Sequence, residues 1–124
     1  MQSYIYLASP YSHPDKQVMN QRHDTMVIVT GKLMERGLHV YSSIVHCHPL
    51  AVRYSLPRSH EFWHEYNCKM LRHASTLWIV ELDGWQDSLG IASEVSFAEK
   101  HHIPIARFEP PITWFNYGPG ADVK

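Results

Sequence analysis

The sequence predicts an α/β domain, a three-layer α/β/α sandwich around a parallel sheet of four or five strands. Short, nearly continuous apolar runs alternate along the chain with longer segments whose apolar residues recur at helical spacing. Such runs are typical of strands that helices cover on both faces, as in flavodoxin-like and Rossmann-like sheets. The 124 residues suit one domain, which we assign to residues 1–124, with a short appendage over 109–124.

The first strand and helix are predicted from composition and spacing. Residues 4–8 are aromatic, β-branched and apolar, which favours a strand. A helix is predicted to begin near Pro14, because the first turn of a helix accommodates proline. The inward face of this helix is predicted as Val18, Arg22, Met26, Val29 and Leu33. Gly37 then predicts a left-handed helix end directly after Arg36.

The remaining elements continue the alternation. A second strand is predicted over residues 38–41. The segment 42–58 carries two prolines and shows no regular period, so a long loop is predicted there. The later elements are predicted as a helix capped by Ser59 and running to residue 73, a strand over 77–82, a helix over 88–101 and a strand over 103–108.

Composition excludes several classes of protein. The formal net charge of −1 argues against a nucleic-acid binder with a basic face. Two cysteines cannot build a disulfide framework, so we expect a reduced, cytoplasmic protein. No apolar run approaches the roughly 20 residues of a membrane span, and residues 1–10 lack the layout of a secretory signal. There is no Gly-rich dinucleotide fingerprint or P-loop, and we expect no cofactor.

The chemistry is expected at one edge of the sheet. In doubly wound α/β proteins, ligands bind outside the carboxyl ends of the strands. Three segments qualify: Ser9–Ser12 after the first strand, the long segment from Ser42, and residues 83–88 after the third strand. Within the first segment, Tyr11 and Ser12 offer hydroxyl groups.

Glu94 is the strongest single candidate for a functional residue. The apolar stripe of the last predicted helix consists of Ile91, Val95 and Ala98. Glu94 falls on the same inward face, where a carboxylate is costly unless it is paired or used. Gly90, one turn earlier, leaves room over the carboxylate for a substrate. Ser88 occupies the N-cap position, and the free N–H groups behind it form a natural anion site.

Each of these residues also has a purely structural interpretation. Glu94 is equally consistent with an ion pair to Arg22 or a bond to a backbone group. Asp83 at the end of the third strand is, on its own, an ordinary turn residue before Gly84. Arg22 interrupts an apolar stripe, so it either extends its charged end to solvent or points to an anion.

Ten histidines are the most unusual feature of the composition. His46 and His48, and likewise His60 and His64, have spacings that metal ligands use, but neither pair belongs to a known zinc signature. We expect no metal site. The four histidines border the long segment over the site, where substrate contact, subunit contact or solvation is expected, and His46 is predicted to bind substrate. A His-based metallohydrolase stays open as a less favoured alternative.

Four motifs together resemble the nucleoside 2-deoxyribosyltransferase superfamily. They are Leu-Ala-Ser-Pro-Tyr over residues 7–11, an Arg in the first helix, Leu-Asp-Gly over residues 82–84, and Ser88-x-Gly90-x-x-x-Glu94. The last motif is most similar to that of the deoxynucleoside 5′-monophosphate N-glycosidases in the same superfamily. The resemblance covers about residues 4–106.

The resemblance implies a role for each motif. Glu94 would be the nucleophile that attacks the anomeric carbon of a 2-deoxyribosyl group, and Asp83 the acid that assists departure of the base. Ser88 and the amides behind it would bind a 5′-phosphate. The predicted binding residues are Ser9, Tyr11, Ser12, Arg22, Ser88, Gly90 and His46. Asn67 and Ser75 stand where many transferases carry Asp, a departure from the superfamily pattern.

Besides the less favoured metallohydrolase, two classes of function stay open. The favoured hypothesis is an N-glycosidase or deoxyribosyltransferase that acts on 2′-deoxynucleosides or their 5′-monophosphates, without polymeric nucleic acid or membrane partners. The alternative is a non-catalytic module that senses a nucleotide with the same pocket. Because proteins of the superfamily are homo-oligomers whose sites borrow residues from a neighbour, the resemblance implies a dimer or larger assembly.

Overall fold

Four parallel strands form the central sheet of the computed structural model, which describes residues 3–57 and 59–115. The strands are Ile5–Ala8 (β1), Val40–Ser42 (β2), Thr76–Val80 (β3) and Ile105–Phe108 (β4). Their order across the sheet is β2-β1-β3-β4. Leu7 in the central strand β1 pairs with Ser42 of β2 on one side and Trp78 of β3 on the other. β1 and β3 are therefore the two inner strands.

Helices cover both faces of this sheet. They are Lys16–Glu35 (α1), Ser43–Tyr54 (α2), His60–Arg72 (α3) and Leu89–Lys100 (α4), with short 3₁₀ helices at Trp85–Asp87 and Ile112–Phe115. One buried cluster joins the sheet to α3 and α4, and the other joins it to α1, α2 and the second 3₁₀ helix. The predicted three-layer α/β/α class with a parallel sheet is confirmed, with four strands in the described part of the chain.

Side chains of strand β1 pack into both halves of the core. Tyr6 and Ala8 pack against the α3/α4 side, whereas Leu7 packs against the α1/α2 side. Alternation along a strand requires this division, because successive side chains point to opposite faces. All three residues are almost completely buried. This explains why the run reads as continuously apolar in the sequence.

Several element ends follow the predicted signals. Ser59 and Ser88 cap α3 and α4, since their hydroxyls accept from the backbone N–H groups of Phe62 and Ile91. Gly37 has φ of +84°, and it ends α1 in the left-handed conformation that glycine adopts without strain. At the other end, α1 begins at Lys16 with Asp15 as its cap, slightly later than the prediction near Pro14.

The predicted loop over residues 42–58 is wrong, because most of it is helix α2. Its buried residues are Ile44, Cys47, His48 and Ala51. That spacing is a regular helical stripe, and counting His48 as polar concealed it. Pro49 costs the helix one backbone hydrogen bond, but Ser42 caps its start and Ser55 ends it in the left-handed conformation.

The segment after β4 is more than an appendage in its described part. Trp114 is 9% exposed and belongs to the core cluster on the α1 side. The guanidinium of Arg36 lies 4.8 Å from the centre of its ring. The rest of the predicted appendage, residues 116–124, lies outside the described residues. Within the described ranges, no helix combines the length and apolar character needed to cross a bilayer.

Trp114→Ala is expected to lower the free energy of unfolding by about 3–5 kcal/mol, because it removes a large buried side chain and leaves a cavity. Urea denaturation followed by circular dichroism measures the loss. Ile112→Ala is the matched control: Ile112 is 84% exposed in the same 3₁₀ helix, so its effect should stay within about 0.5 kcal/mol. Equal losses in both variants would contradict the packing role of Trp114.

Candidate active site

A cavity of about 760 Å³ lies at the carboxyl ends of β1 and β3. These adjacent strands continue into helices on opposite faces, since β1 leads to α1 and β3 leads to α4. The loops after the two strands therefore diverge and leave a crevice, which is where ligands bind in open α/β sheets. Residues of α2 and α3 complete the lining.

Glu94 is a buried carboxylate on the wall of this cavity. It is 9% exposed and lies on the inward face of α4 between Ile91 and Ala98. Tyr6 donates a hydrogen bond from its hydroxyl to Glu94 Oε2 at 2.6 Å. Burial raises the Glu94 pKa to about 7, and the bond from Tyr6 opposes this rise. The carboxyl group is thus poised to change charge near neutral pH.

The start of α4 sets the position of this carboxylate. Ser88 accepts from the Ile91 N–H at 3.2 Å and so fixes the first turn of the helix. Gly90 lines the cavity one turn before Glu94. A Cβ atom at position 90 would meet only the Ser88 hydroxyl, at 3.7 Å. An alanine at this position would therefore meet Ser88 in ordinary van der Waals contact, and the glycine keeps this part of the cavity open.

Arg22 reaches the cavity from α1 and binds backbone carbonyls. Its Nη1 donates to the carbonyl oxygens of Ser12 at 3.0 Å and Tyr11 at 3.3 Å. Its Nη2 lies 3.0 Å from where a Cβ atom of Gly84 would stand. None of the ion pairs among the described residues involves Arg22. The ion pair between Arg22 and Glu94, which is one structural interpretation of Glu94, is therefore not formed in the described part of the chain. Its positive charge therefore lines the cavity without an acidic partner in the described ranges.

A second buried polar group stands on the α2 side. The hydroxyl of Tyr11 lies 2.7 Å from His48 Nδ1, and His48 Nε2 lies 2.9 Å from Asn20 Oδ1. His48 is 7% exposed, and the ring of His23 packs 4.7 Å from it. Because an amide oxygen only accepts, Nε2 carries a hydrogen and Nδ1 is the nitrogen that faces Tyr11.

Helix α3 supplies the third wall of the cavity. The rings of His60 and His64 lie 5.2 Å apart, and His64 Nδ1 lies 3.0 Å from the Ser93 hydroxyl. Asn67 accepts a hydrogen bond from Ser43 of α2 at 2.6 Å and so joins two helices at the cavity. Burial, with a smaller contribution from the Glu94 charge, raises the pKa of Cys68.

Most of the predicted site residues meet in this cavity. Those that line it are Ser9, Tyr11, Ser12, Arg22, Ser88, Gly90 and Glu94. The sequence reasoning did not single out Tyr6, although a tyrosine in a buried strand needs a partner for its hydroxyl. It also passed over His48 in favour of His46, because α2 was not recognised as a helix.

Two predicted residues lie outside the cavity lining. Asp83 is exposed, because the chain reverses directly after β3: the Trp85 N–H bonds to the Leu82 carbonyl at 3.0 Å, and Gly84 adopts φ of +86°. His46 is exposed on the side of α2 opposite the buried stripe. The cavity is instead lined by the neighbours Gly84 and His48.

The described residues do not bring three His, Cys, Asp or Glu side chains together in an arrangement that could hold a metal ion. The pairs His46/His48 and His60/His64 do not converge on a common point with a third ligand. The spacing between the members of each pair follows from their positions on α2 and α3.

A family model described as a domain of unknown function, DUF1937, matches residues 3–109. The chain belongs to the DUF1937 family. The match contains β1 through β4 and every cavity residue named above, so the candidate site lies within the DUF1937 domain. A search of curated proteins finds no match for this sequence.

Glu94→Gln is expected to gain stability relative to the wild type as pH rises. The unfolded chain releases the Glu94 proton near pH 4.5, but the folded chain keeps it until about pH 7. Between these values the wild type therefore loses stability with rising pH. Glutamine carries no proton to lose, so the difference should grow by about 2–3 kcal/mol from pH 5 to pH 8.

Denaturant unfolding of both proteins across this pH range measures the difference. Glu99→Gln, on the exposed side of the same helix, is the matched control, and its difference from the wild type should stay flat. A flat difference for Glu94→Gln as well would mean that Glu94 is not held in a desolvated environment.

Proposed function

We propose that this protein cleaves or transfers the N-glycosidic bond of 2′-deoxynucleosides or their 5′-monophosphates, with Glu94 as the nucleophile. The observation that carries the proposal is a buried carboxylate, held by Tyr6, on the wall of a cavity at the crevice between β1 and β3. The resemblance of the Ser88-x-Gly90-x-x-x-Glu94 run to the nucleoside 2-deoxyribosyltransferase superfamily supports the same assignment.

The proposed first step is displacement at the anomeric carbon. The C1′–N bond breaks and its electron pair stays on the base, while Glu94 Oε1 forms a bond to C1′. The transition state resembles an oxocarbenium ion, and a 2-deoxy sugar reaches it more easily because it lacks an electron-withdrawing hydroxyl. Water or a second base then attacks C1′ and releases Glu94 as a carboxylate. The acceptor decides between hydrolysis and transfer.

Tyr6 is proposed to prepare the nucleophile. Its bond to Oε2 fixes the plane of the carboxylate and leaves Oε1 for the attack. The Tyr6 pKa lies well above its ordinary value, because its burial and the neighbouring Glu94 both oppose a second negative charge. Tyr6 therefore stays a hydrogen-bond donor across the working pH range, which keeps the nucleophile oriented and partly offsets the cost of its burial.

Arg22 and the start of α4 are proposed to bind the anionic part of the substrate. Arg22 brings a positive charge to the cavity, and the amides behind Ser88 open the first turn of α4. Charge-assisted bonds from a guanidinium and from helix N-terminal amides are common contacts for phosphate. A 5′-monophosphate fits this wall better than an uncharged nucleoside. The mechanism uses no cofactor.

The proposal also includes a second copy of this chain as partner and a reducing, cytoplasmic setting. Helix α3 exposes the aromatic residues Phe62 and Tyr66, which supports burial against another subunit. Cys47 and Cys68 are both free thiols, as a reducing compartment would keep them.

Free base should appear when the protein is incubated with a panel of 2′-deoxynucleosides and their 5′-monophosphates and the products are separated by chromatography. Glu94→Ala should reduce the rate at least about a thousandfold, because it removes the carboxylate that traps the sugar. Mass spectrometry of the quenched reaction should find the 2-deoxyribosyl adduct on the peptide that contains Glu94.

Serine replacement at an exposed position of the same helix, Glu99→Ser, provides the control and should keep the wild-type rate. Thermal stabilisation by a nucleotide without any release of base would favour the sensing module instead. Full activity in Glu94→Ala would overturn the assigned mechanism.

The pH dependence should identify Glu94 as the ionising group. The nucleophile acts as a carboxylate, so kcat/KM is expected to fall as pH decreases through about 7. Tyr6→Phe removes the bond that lowers this pKa and should move the fall to higher pH by about one unit.

Tyr41→Phe is the matched comparison, because the Tyr41 ring packs 5.7 Å from that of Tyr6 whereas the hydrogen bond to Glu94 comes from Tyr6. Its pH profile should follow that of the wild type. An unchanged profile in Tyr6→Phe would show that Tyr6 does not influence the ionisation that limits the reaction.

A further inference from the structure

The proposed reaction requires a proton for the departing base, and the residue predicted for that task does not line the cavity. Asp83 is exposed in the turn after β3. We infer that Tyr11 protonates the leaving base and that His48, behind it, is a positioning residue that resupplies the Tyr11 proton. This inference rests on the proposed function and assigns its missing acid.

The first support is the chain of hydrogen bonds behind the Tyr11 hydroxyl. The Tyr11 hydroxyl lies 2.7 Å from His48 Nδ1, and His48 Nε2 lies 2.9 Å from Asn20 Oδ1. Asn20 holds the Nε2 hydrogen in both charge states of the imidazole, so His48 exchanges protons only through Nδ1, toward Tyr11. The amide thus fixes the direction of proton transfer toward the cavity.

The second support is the side of the cavity on which each group lies. Glu94 and its partner Tyr6 belong to the α3/α4 side, and Tyr6 is part of that core cluster. Tyr11 packs against the core cluster of the α1/α2 side, and His48 lies on α2. A nucleophile and a proton donor must flank the scissile bond. The two faces of the sheet provide this separation.

The third support is burial. Asp87 and Glu61 also line the cavity, but both are exposed to solvent. His48 is a buried polar group, and an imidazole is seldom buried without a task or a set of partners. Its partner Tyr11 lines the cavity. The Tyr11–His48 pair is therefore the proton donor best shielded from water, in contrast to the two exposed carboxyl groups.

The proton balance is complete within the protein. In the starting state Glu94 is a carboxylate, and His48 is an imidazolium that donates from Nδ1 to the Tyr11 oxygen. As the C1′–N bond breaks, the Tyr11 proton moves to a nitrogen of the base and the Nδ1 proton moves to Tyr11. The products are the glycosyl ester of Glu94, a neutral base and neutral His48. When water resolves the ester, its proton returns to His48 through Tyr11.

Two elements packed against α2 bring titratable or charged groups to His48. His23 of α1 stacks on its ring, and Tyr11 of the loop after β1 bonds to it. Arg22 of α1 holds the same loop through the Tyr11 carbonyl. Substitutions that test the pH dependence of His48 must leave these groups in place, and Asn20 is the neighbour that satisfies this condition.

The test compares two leaving groups in Tyr11→Phe. The first substrate is the deoxynucleoside or nucleotide of the panel that reacts fastest. The second is the matching 4-nitrophenyl 2-deoxyriboside, whose leaving group, 4-nitrophenolate, departs without a proton. Tyr11→Phe should slow the natural substrate about a hundredfold or more and change the 4-nitrophenolate substrate by no more than a few-fold. Equal slowing of both overturns the inference and leaves the proposed function standing.

Asp83→Asn, assayed with the same two substrates, tests the competing assignment of the acid role to Asp83. Selective loss with the natural substrate in Asp83→Asn, and not in Tyr11→Phe, returns the acid role to Asp83 and overturns the inference. If the wild type cleaves neither substrate, the proposed function fails and the inference fails with it.

Asn20→Asp tests the part played by His48 without removing the imidazole. The inference requires kcat/KM to fall on the alkaline side as well, where His48 loses its proton. A carboxylate on Nε2–H stabilises the imidazolium, so this alkaline fall should move to higher pH by about one unit. His48→Gln should abolish that fall. His39→Gln, an exposed histidine at the opposite end of the sheet, should leave the profile unchanged. An unshifted profile in Asn20→Asp overturns the role of His48.

Discussion

The hydrogen bond between Tyr6 and Glu94 is the interaction around which the site is organised. A carboxylate removed from water is unfavourable unless something compensates for its charge. Here the compensating donor comes from the middle of the sheet, 88 positions away in the sequence. The first strand and the last helix are thereby joined at a polar contact inside an otherwise apolar layer. The loop after β1 and the first turn of α4 line the same cavity as this buried pair.

The strand order makes such a contact possible. Since β1 and β3 are neighbours, the loops that follow them open side by side, and α4 returns across β1 as well as β3. A side chain on the first inward turns of α4 therefore lies over the end of β1. The apolar stripe of α4 determines which face of the helix turns inward. The Ser88 cap determines where α4 begins, and therefore the position along the helix axis at which Glu94 contacts Tyr6.

Local patterns were enough to predict the sheet, three of the four helices and the inward position of Glu94. They succeeded where one signal decides the outcome, as with the cap at Ser59 or the left-handed glycine at position 37. They failed at α2, where a buried histidine and an internal proline disguised a helical stripe. The same error hid the contact between His48 and Tyr11, because a polar network between two elements has no sequence period. The turn that exposes Asp83 agrees instead with the structural interpretation of Asp83 as a turn residue before Gly84, which adopts φ of +86°.

The way Arg22 is held has an electrostatic consequence of its own. Its described bonds go to carbonyl oxygens, which are dipoles without formal charge. They orient the guanidinium and tie down the loop after β1, yet they do not cancel its field as an aspartate would. A low-dielectric crevice concentrates such a field toward its mouth. A small anion is then attracted while it is still separated from the protein by water, and the attraction weakens as salt is added.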